Sequence, residues 1–219
     1  RKHLLMSVFA GVLTTLSVAQ ASAQQNKPNI IAIMIDDMAP MDLSAYHRGL
    51  GAVNTPNMDR LAKEGLTISD YYAQPSCTAG RAAFITGQYP IRTGLTSVGQ
   101  PGAKVGIQEK DVTLAEILKS QGYSTALFGK SHVGDRNEFL PTVHGFDEFE
   151  GILYHLNLME MPEQPEFPKD PNFVGRPRNM IHSWATTTDD PTVEARWGRV
   201  GKQKIEDIGP LSSDLMATI

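Results

Sequence analysis

The 219-residue chain carries 20 basic and 24 acidic side chains for a net charge of −4, is 41% hydrophobic and has one cysteine. Beyond its first residues there is no basic run interleaved with aromatics, which argues against nucleic acid as a partner. A single cysteine excludes an internal disulfide, and the length suits one domain with its own core.

Arg1-Lys2, an apolar stretch from Leu4 to Val18, and then Ala21-Ser22-Ala23 have the three parts of a secretory signal peptide. Residues 1–23 are expected to be that signal and 24–219 a secreted or periplasmic domain. The stretch is interrupted by Ser7, Gly11, Thr14, Thr15 and Ser17 and is shorter than the roughly 20 apolar residues of a spanning helix, so no stable membrane anchor is expected.

Asn29–Ile35 (NIIAIMI) is a continuous apolar run that reads as a strand buried on both faces, ending at Asp36-Asp37. Thr55 as N-cap, Pro56 at the first helical position and Gly65 past the end predict a helix over Pro56–Glu64, and Leu66–Ser69 reads as a short strand. The turn around Cys77 opens a helix over Thr78–Thr86. Thr113 and Glu116 form a capping box for a helix stopped at Gly122, and Tyr123–Phe128 reads as the next strand, leading to Gly129-Lys130. Strands alternating with helices predict an α/β fold with a mostly parallel central sheet flanked by helices. Met161–Arg178 is proline-rich and Ala185–Pro210 polar without a period, so both read as long surface loops or a cap. The chain ends at Ile219 just after a helix start at Ser212 or Ser213, and the domain is expected to continue beyond it.

Ligands of an open parallel sheet bind beyond the carboxyl ends of its strands, where three unusual features fall. Adjacent aspartates leaving a buried strand are costly unless a cation compensates them, and their hard oxygens suit Ca²⁺ or Mg²⁺; an acidic surface turn has the same sequence. The helix opening at Cys77 offers unpaired N–H groups to an anion, with Arg81 one turn in on the same side; a buried small thiol is the plainer reading of Cys77. Lys130 and His132 point the same way if the segment stays extended, bringing a point charge for a tetrahedral anion and a proton carrier to one crevice.

These residues resemble the type I sulfatase family. Its hallmark, Cys-x-Pro/Ala-x-Arg, is matched by Cys77-Thr78-Ala79-Gly80-Arg81 with Phe84-Ile85-Thr86-Gly87 after it. A second signature, a Gly-Tyr strand leading to Gly-Lys-x-His, is matched by Gly122 to His132, and the family's opening by Pro28 to Asp37. Ala79, Gly80, Ala82 and Val133 stand where the family more often has Pro, Ser or Thr, Gly and Leu. The resemblance implies an alkaline-phosphatase-like sandwich, incomplete in this chain, and a sulfuric ester hydrolase of arylsulfatase type. It implies that a formylglycine-generating maturation enzyme oxidises Cys77 to formylglycine, whose hydrated aldehyde is the nucleophile. Asp36, Asp37 and the Cys77 derivative would then hold Ca²⁺, or Mg²⁺ in its place. Arg81 would fix and help ionise the hydrated aldehyde, Lys130 would bridge it to the sulfate, and His132 would assist the elimination of sulfate. The substrate would be a sulfated small molecule or glycan. Further ligands and the general acid would lie in the family's later half, so this fragment alone is expected to be inactive. Arg81→Ala and Lys130→Ala are expected to lower turnover with the fold intact.

Two other readings share these motifs: a phosphonate or phosphate ester hydrolase of the same superfamily, and a non-catalytic anion-binding homologue never converted at Cys77. Tyr154, His155 and Asn157 read either as lining for the substrate pocket or as a packed loop. His144 with Gly145-Phe146-Asp147 reads as a structural turn and His47 as a surface residue, while His182 and Trp184 are assigned no role.

Overall fold

A computed structural model describes residues 27–155, 162–173, 175–192 and 195–209. The expected signal peptide, Asn157 and the helix start at Ser212 or Ser213 lie outside them. The chain divides into two compact units, Arg1–Leu66 and Thr67–Ile219. No helix of the described residues is long and apolar enough to cross a membrane.

In the first unit a 3-10 turn, Pro40–Asp42, precedes helices α1 (Ser44–His47) and α2 (Pro56–Glu64). The bounds of α2 are those its punctuation predicts, with Pro56 at its start and Gly65 as C-cap. The Thr55 hydroxyl, however, does not cap α2. It accepts from the Ser44 N–H at 3.0 Å, while the Ser44 hydroxyl donates to the Asp59 carboxylate at 2.8 Å, tying α1 to α2. His47 is a correction: it is 2% exposed rather than on the surface. Its Nδ1 accepts from the Gly49 N–H at 3.0 Å and its Nε2–H donates to the Val53 carbonyl at 2.8 Å, which fixes the neutral tautomer and closes the loop after α1. Asn29–Ile35 and Leu66–Ser69 are also corrections, since neither forms a strand. Ile31 is 85% and Leu66 86% exposed. An apolar run becomes a strand buried on both faces only where neighbours supply a ladder, and neither run belongs to the sheet formed by the described residues.

The second unit opens with α3 (Cys77–Thr86), a short α4 (Pro90–Thr93) and α5 (Leu114–Ser120). The capping box at α5 is formed: Glu116 N–H donates to the Thr113 hydroxyl at 3.1 Å and Thr113 N–H to the Glu116 carboxylate at 2.7 Å. Four strands follow in sheet order, β1 (Ala126–Lys130), β2 (Glu148–Ile152), β3 (Met180–Ala185) and β4 (Gln203–Gly209). The β1–β2 pair is parallel, as the alternating pattern predicts, and β3 and β4 extend the sheet antiparallel. Strand β1 starts at Ala126, not Tyr123, because the Tyr123 N–H still bonds the Leu118 carbonyl behind α5, and Thr125 is clamped to the Asp147 carboxylate through its N–H at 2.9 Å.

Strand β4 corrects the expectation of loop over Ala185–Pro210. Gln203 is fully buried yet satisfied: its Oε1 accepts from the Thr142 hydroxyl at 2.6 Å and its Nε2 donates to the Asn137 carbonyl at 2.7 Å. Leu140, Phe149, Leu153, Tyr154 and Ile181 form the core on one face of the sheet, with Leu127 and Ile205 against it. Along the strands these residues alternate with Glu148, Glu150, His182, Trp184 and Lys204, so the other face is polar. There His182 sits between Glu148 at 2.7 Å and Glu150 at 3.4 Å. His144 is buried, with Nε2–H donating to the Glu138 carbonyl at 3.0 Å, a structural turn as read.

Candidate active site

Ser76, in extended conformation, begins α3 as its N-cap, its hydroxyl accepting from the Ala79 N–H at 3.2 Å. Cys77 is therefore the first helical residue and is partly exposed, beside N–H groups that have no partner inside the helix. Ala79 and Ala82 are buried at 1% and 0% exposure, small enough to bring α3 flush against the core of Leu95, Ile107, Val133 and Phe139. Gly87, left-handed at φ 65°, ends the helix.

Two hydrogen bonds join this helix to the end of β1. The Thr78 hydroxyl donates to the His132 carbonyl at 2.8 Å, and Arg81 donates to the Lys130 carbonyl at 2.7 Å. The helix that begins at Cys77 is thus joined, through Thr78 and Arg81, to the backbone of His132 and Lys130 at one helix–strand junction, with Arg81 and His132 51 positions apart in sequence. Lys130 and His132 do not share the alternation of a single strand. β1 ends at Lys130 and His132 is left-handed, φ 53°, turned by the bond from Thr78 to its carbonyl. Beside it, the ring of His155 stands 5.6 Å from the His132 ring at an interplanar angle of 59°.

Tyr154 does not present its hydroxyl to a pocket. It is 8% exposed and donates to the carboxylate of Asp135, itself 3% exposed. Burial pushes the Asp135 carboxyl up from its ordinary value, against the pull of the Tyr154, Gly102 and Arg178 donors, and burial likewise pushes the Tyr154 phenol up. Ser76, Asp135 and Arg178 carry no assignment from sequence. A serine immediately before a helix start was a readable cap signal, whereas Asp135 and Arg178 meet only through the fold and leave no spacing to read.

Asp36 and Asp37 belong to the first unit, Asp37 being left-handed at φ 53°. Among the described residues no group of three or more His, Cys, Asp or Glu side chains is placed to hold a metal.

A family model described as Sulfatase matches residues 28–203. The chain belongs to the sulfatase family. Arylsulfatase A of Bos taurus is 44% identical over 144 residues, covering 64% of this sulfatase chain and 28% of that protein. The N-acetylgalactosamine-6-sulfatase of Sus scrofa is 36% identical over 188 residues, covering 80% and 34%. Among solved structures, the PsFucS1 sulfatase from Pseudoalteromonas sp. superposes with a TM-score of 0.65 at 32% identity, covering 91% of this chain and 39% of that one. The chain thus spans about a quarter to a third of the length of the curated relatives it matches. Its fold is alkaline-phosphatase-like, with a four-stranded mixed sheet and helices among the described residues.

Proposed function

We propose that the enzyme to which this chain belongs hydrolyses sulfate esters at the junction of α3 and β1. The observation that carries the reading is the pair of bonds from Thr78 to His132 and from Arg81 to Lys130, which gathers the cysteine helix and the lysine–histidine turn in a family member. Relatives named arylsulfatase and N-acetylgalactosamine-6-sulfatase support a sulfated small molecule or glycan as substrate.

Oxidation of Cys77 to formylglycine by the maturation enzyme, followed by hydration, would supply a hydroxyl nucleophile at the start of α3. The N–H groups there and the Arg81 guanidinium bind the anion and hold the nucleophile against it. Lys130 places a mobile positive charge on the transferring sulfate, and the His132 imidazole takes or returns a proton as sulfate is released. Asp36 and Asp37 fit a hard cation in kind, supplying two of the about six to eight oxygens Ca²⁺ takes, with Mg²⁺ as the alternative. Such an ion would supply Lewis-acid chemistry. Its remaining ligands are assigned to the part of the enzyme these residues do not span. The enzyme is placed outside the cytoplasm, secreted or periplasmic, on the pattern of residues 1–23.

The test uses full-length protein purified from a host with the maturation enzyme, an aryl sulfate, an aryl phosphonate diester, and the mass of the tryptic peptide over Cys77. Hydrolysis of the sulfate, with an aldehyde in place of the thiol, is expected. An intact thiol in an inactive protein, or preference for the phosphonate, overturns the reading.

A further inference from the structure

The parallel ladder of β1 and β2 ends at Lys130 and Ile152, with one more rung from the Ser131 N–H to the Ile152 carbonyl at 3.0 Å. Both chains then leave the sheet side by side. One exit carries His132 and the other Tyr154 and His155, and the two imidazoles arrive 5.6 Å apart. A left-handed backbone at a non-glycine residue such as His132 persists only where its surroundings over-determine it.

Side chains past the last rung do this. The buried Asp135 carboxylate, on the His132 exit, accepts from the Tyr154 hydroxyl on the other exit and from the Gly102 N–H at 2.7 Å. The Tyr154 oxygen in turn accepts from the Arg178 N–H at 3.2 Å. The Arg178 guanidinium closes the circuit, donating to the Asp135 carbonyl at 2.9 Å and to the Asn137 side chain at 2.8 Å. Burial raises the Tyr154 pKa far above its ordinary value, so the phenol stays a donor at every working pH.

We propose that Asp135 and Tyr154 are positioning residues, whose hydroxyl–carboxylate bond clamps the two strand exits and sets His132 and His155 as a pair beside one anionic substrate. The consequence for turnover rests on the hydrolase reading above; the clamp itself does not. Tyr154→Phe keeps the ring in the sheet core and removes the hydroxyl, and with it the bond to Asp135 and the bond accepted from the Arg178 N–H.

The experiment compares full-length parent and Tyr154→Phe by following the His132 and His155 imidazole resonances through a pH titration, assigned by His→Gln substitution. His182, on the polar face of the sheet, is the internal control. Both site titrations are expected to move together with His182 unchanged, and kcat on an aryl sulfate to fall about ten- to a hundredfold with KM little altered. Site titrations identical to the parent overturn the clamp whether or not the protein is a hydrolase. Moved titrations with unchanged kcat overturn the positioning role. An inactive parent whose titrations still move together in the variant keeps the clamp and removes the hydrolase reading. If a melting curve shows that Tyr154→Phe has lost its fold, Asp135→Asn is read in its place by the same criteria.

Discussion

The Arg81 guanidinium, 9% exposed, donates to the backbone carbonyl of Lys130 at 2.7 Å. In the proposed reading one side chain thereby serves the anion site, and it ties α3 to β1. Substitution should cost both, which departs from the expectation that the fold would be indifferent. Arg81→Ala removes the side-chain donor to the Lys130 carbonyl and should lower stability by about 1–3 kcal/mol. Arg81→Lys supplies one ammonium where a fork of donors is needed, so turnover should fall about 10²-fold or more. Urea unfolding and steady-state rates on the full-length enzyme separate the two effects; parent-like turnover in Arg81→Lys removes Arg81 from the site.

Lys130 behaves oppositely, because the structural bond uses its backbone and not its side chain. Lys130→Ala keeps that bond, so its stability should fall less than that of Arg81→Ala. In the proposed reading its turnover should nonetheless fall about 10²-fold or more through loss of the charge proposed for the transferring group. A variant that unfolds early, or one that turns over normally, contradicts this division of labour.

Thr78 is 2% exposed and its hydroxyl holds the His132 carbonyl at 2.8 Å. Thr78→Val conserves shape and removes the Thr78 donor to that carbonyl, at a cost of about 1–3 kcal/mol. Because the bond also turns His132, the pH–rate profile should change as well. A stability loss with an unaltered profile would leave Thr78 as packing only.

An added Cβ at Gly151 would fall inside the carbonyl of Gly129 across the parallel ladder. Backbone atoms cannot rotate aside, so Gly151→Ala should push β1 from β2 and destabilise by about 3 kcal/mol or more. Gly129→Ala meets no atom within 4 Å, though its φ of 103° strains an alanine. Soluble yield and unfolding midpoints should rank parent, Gly129→Ala and Gly151→Ala in that order; equal stability of the two variants would contradict the close approach.

What was legible in the sequence was what local chemistry decides. Pro56 and Gly65 bounded α2, Thr113 and Glu116 capped α5, and the Cys77 helix was located by its own residues. What was not legible depends on partners far along the chain. The apolar run Asn29–Ile35 announces burial but cannot name the strands that would cover it. Strand β4 is anchored by a buried glutamine hydrogen-bonded to Thr142 and Asn137, which hydrophobic periodicity cannot register. Tyr154 looked like either pocket or packing because its hydroxyl partner, Asp135, lies 19 residues away.

His144 lends the second unit a pH dependence of definite sign. Burial lowers its pKa below the ordinary 6.5, outweighing the Glu138 carbonyl and the Glu116, Asp111 and Glu109 carboxylates, which pull it up. The unfolded chain therefore binds the proton more readily than the folded one. Stability from this group is complete above pH 6.5 and is lost as pH falls from there toward the depressed folded value, at up to about 1.4 kcal/mol per pH unit. His144→Gln keeps a donor for the Glu138 carbonyl but cannot titrate. Urea melts of full-length protein at pH 7.5 and 5.5 should show a smaller fall in stability for the variant than for the parent. Equal falls in the two proteins would mean that the buried imidazole takes up its proton without opposing the fold.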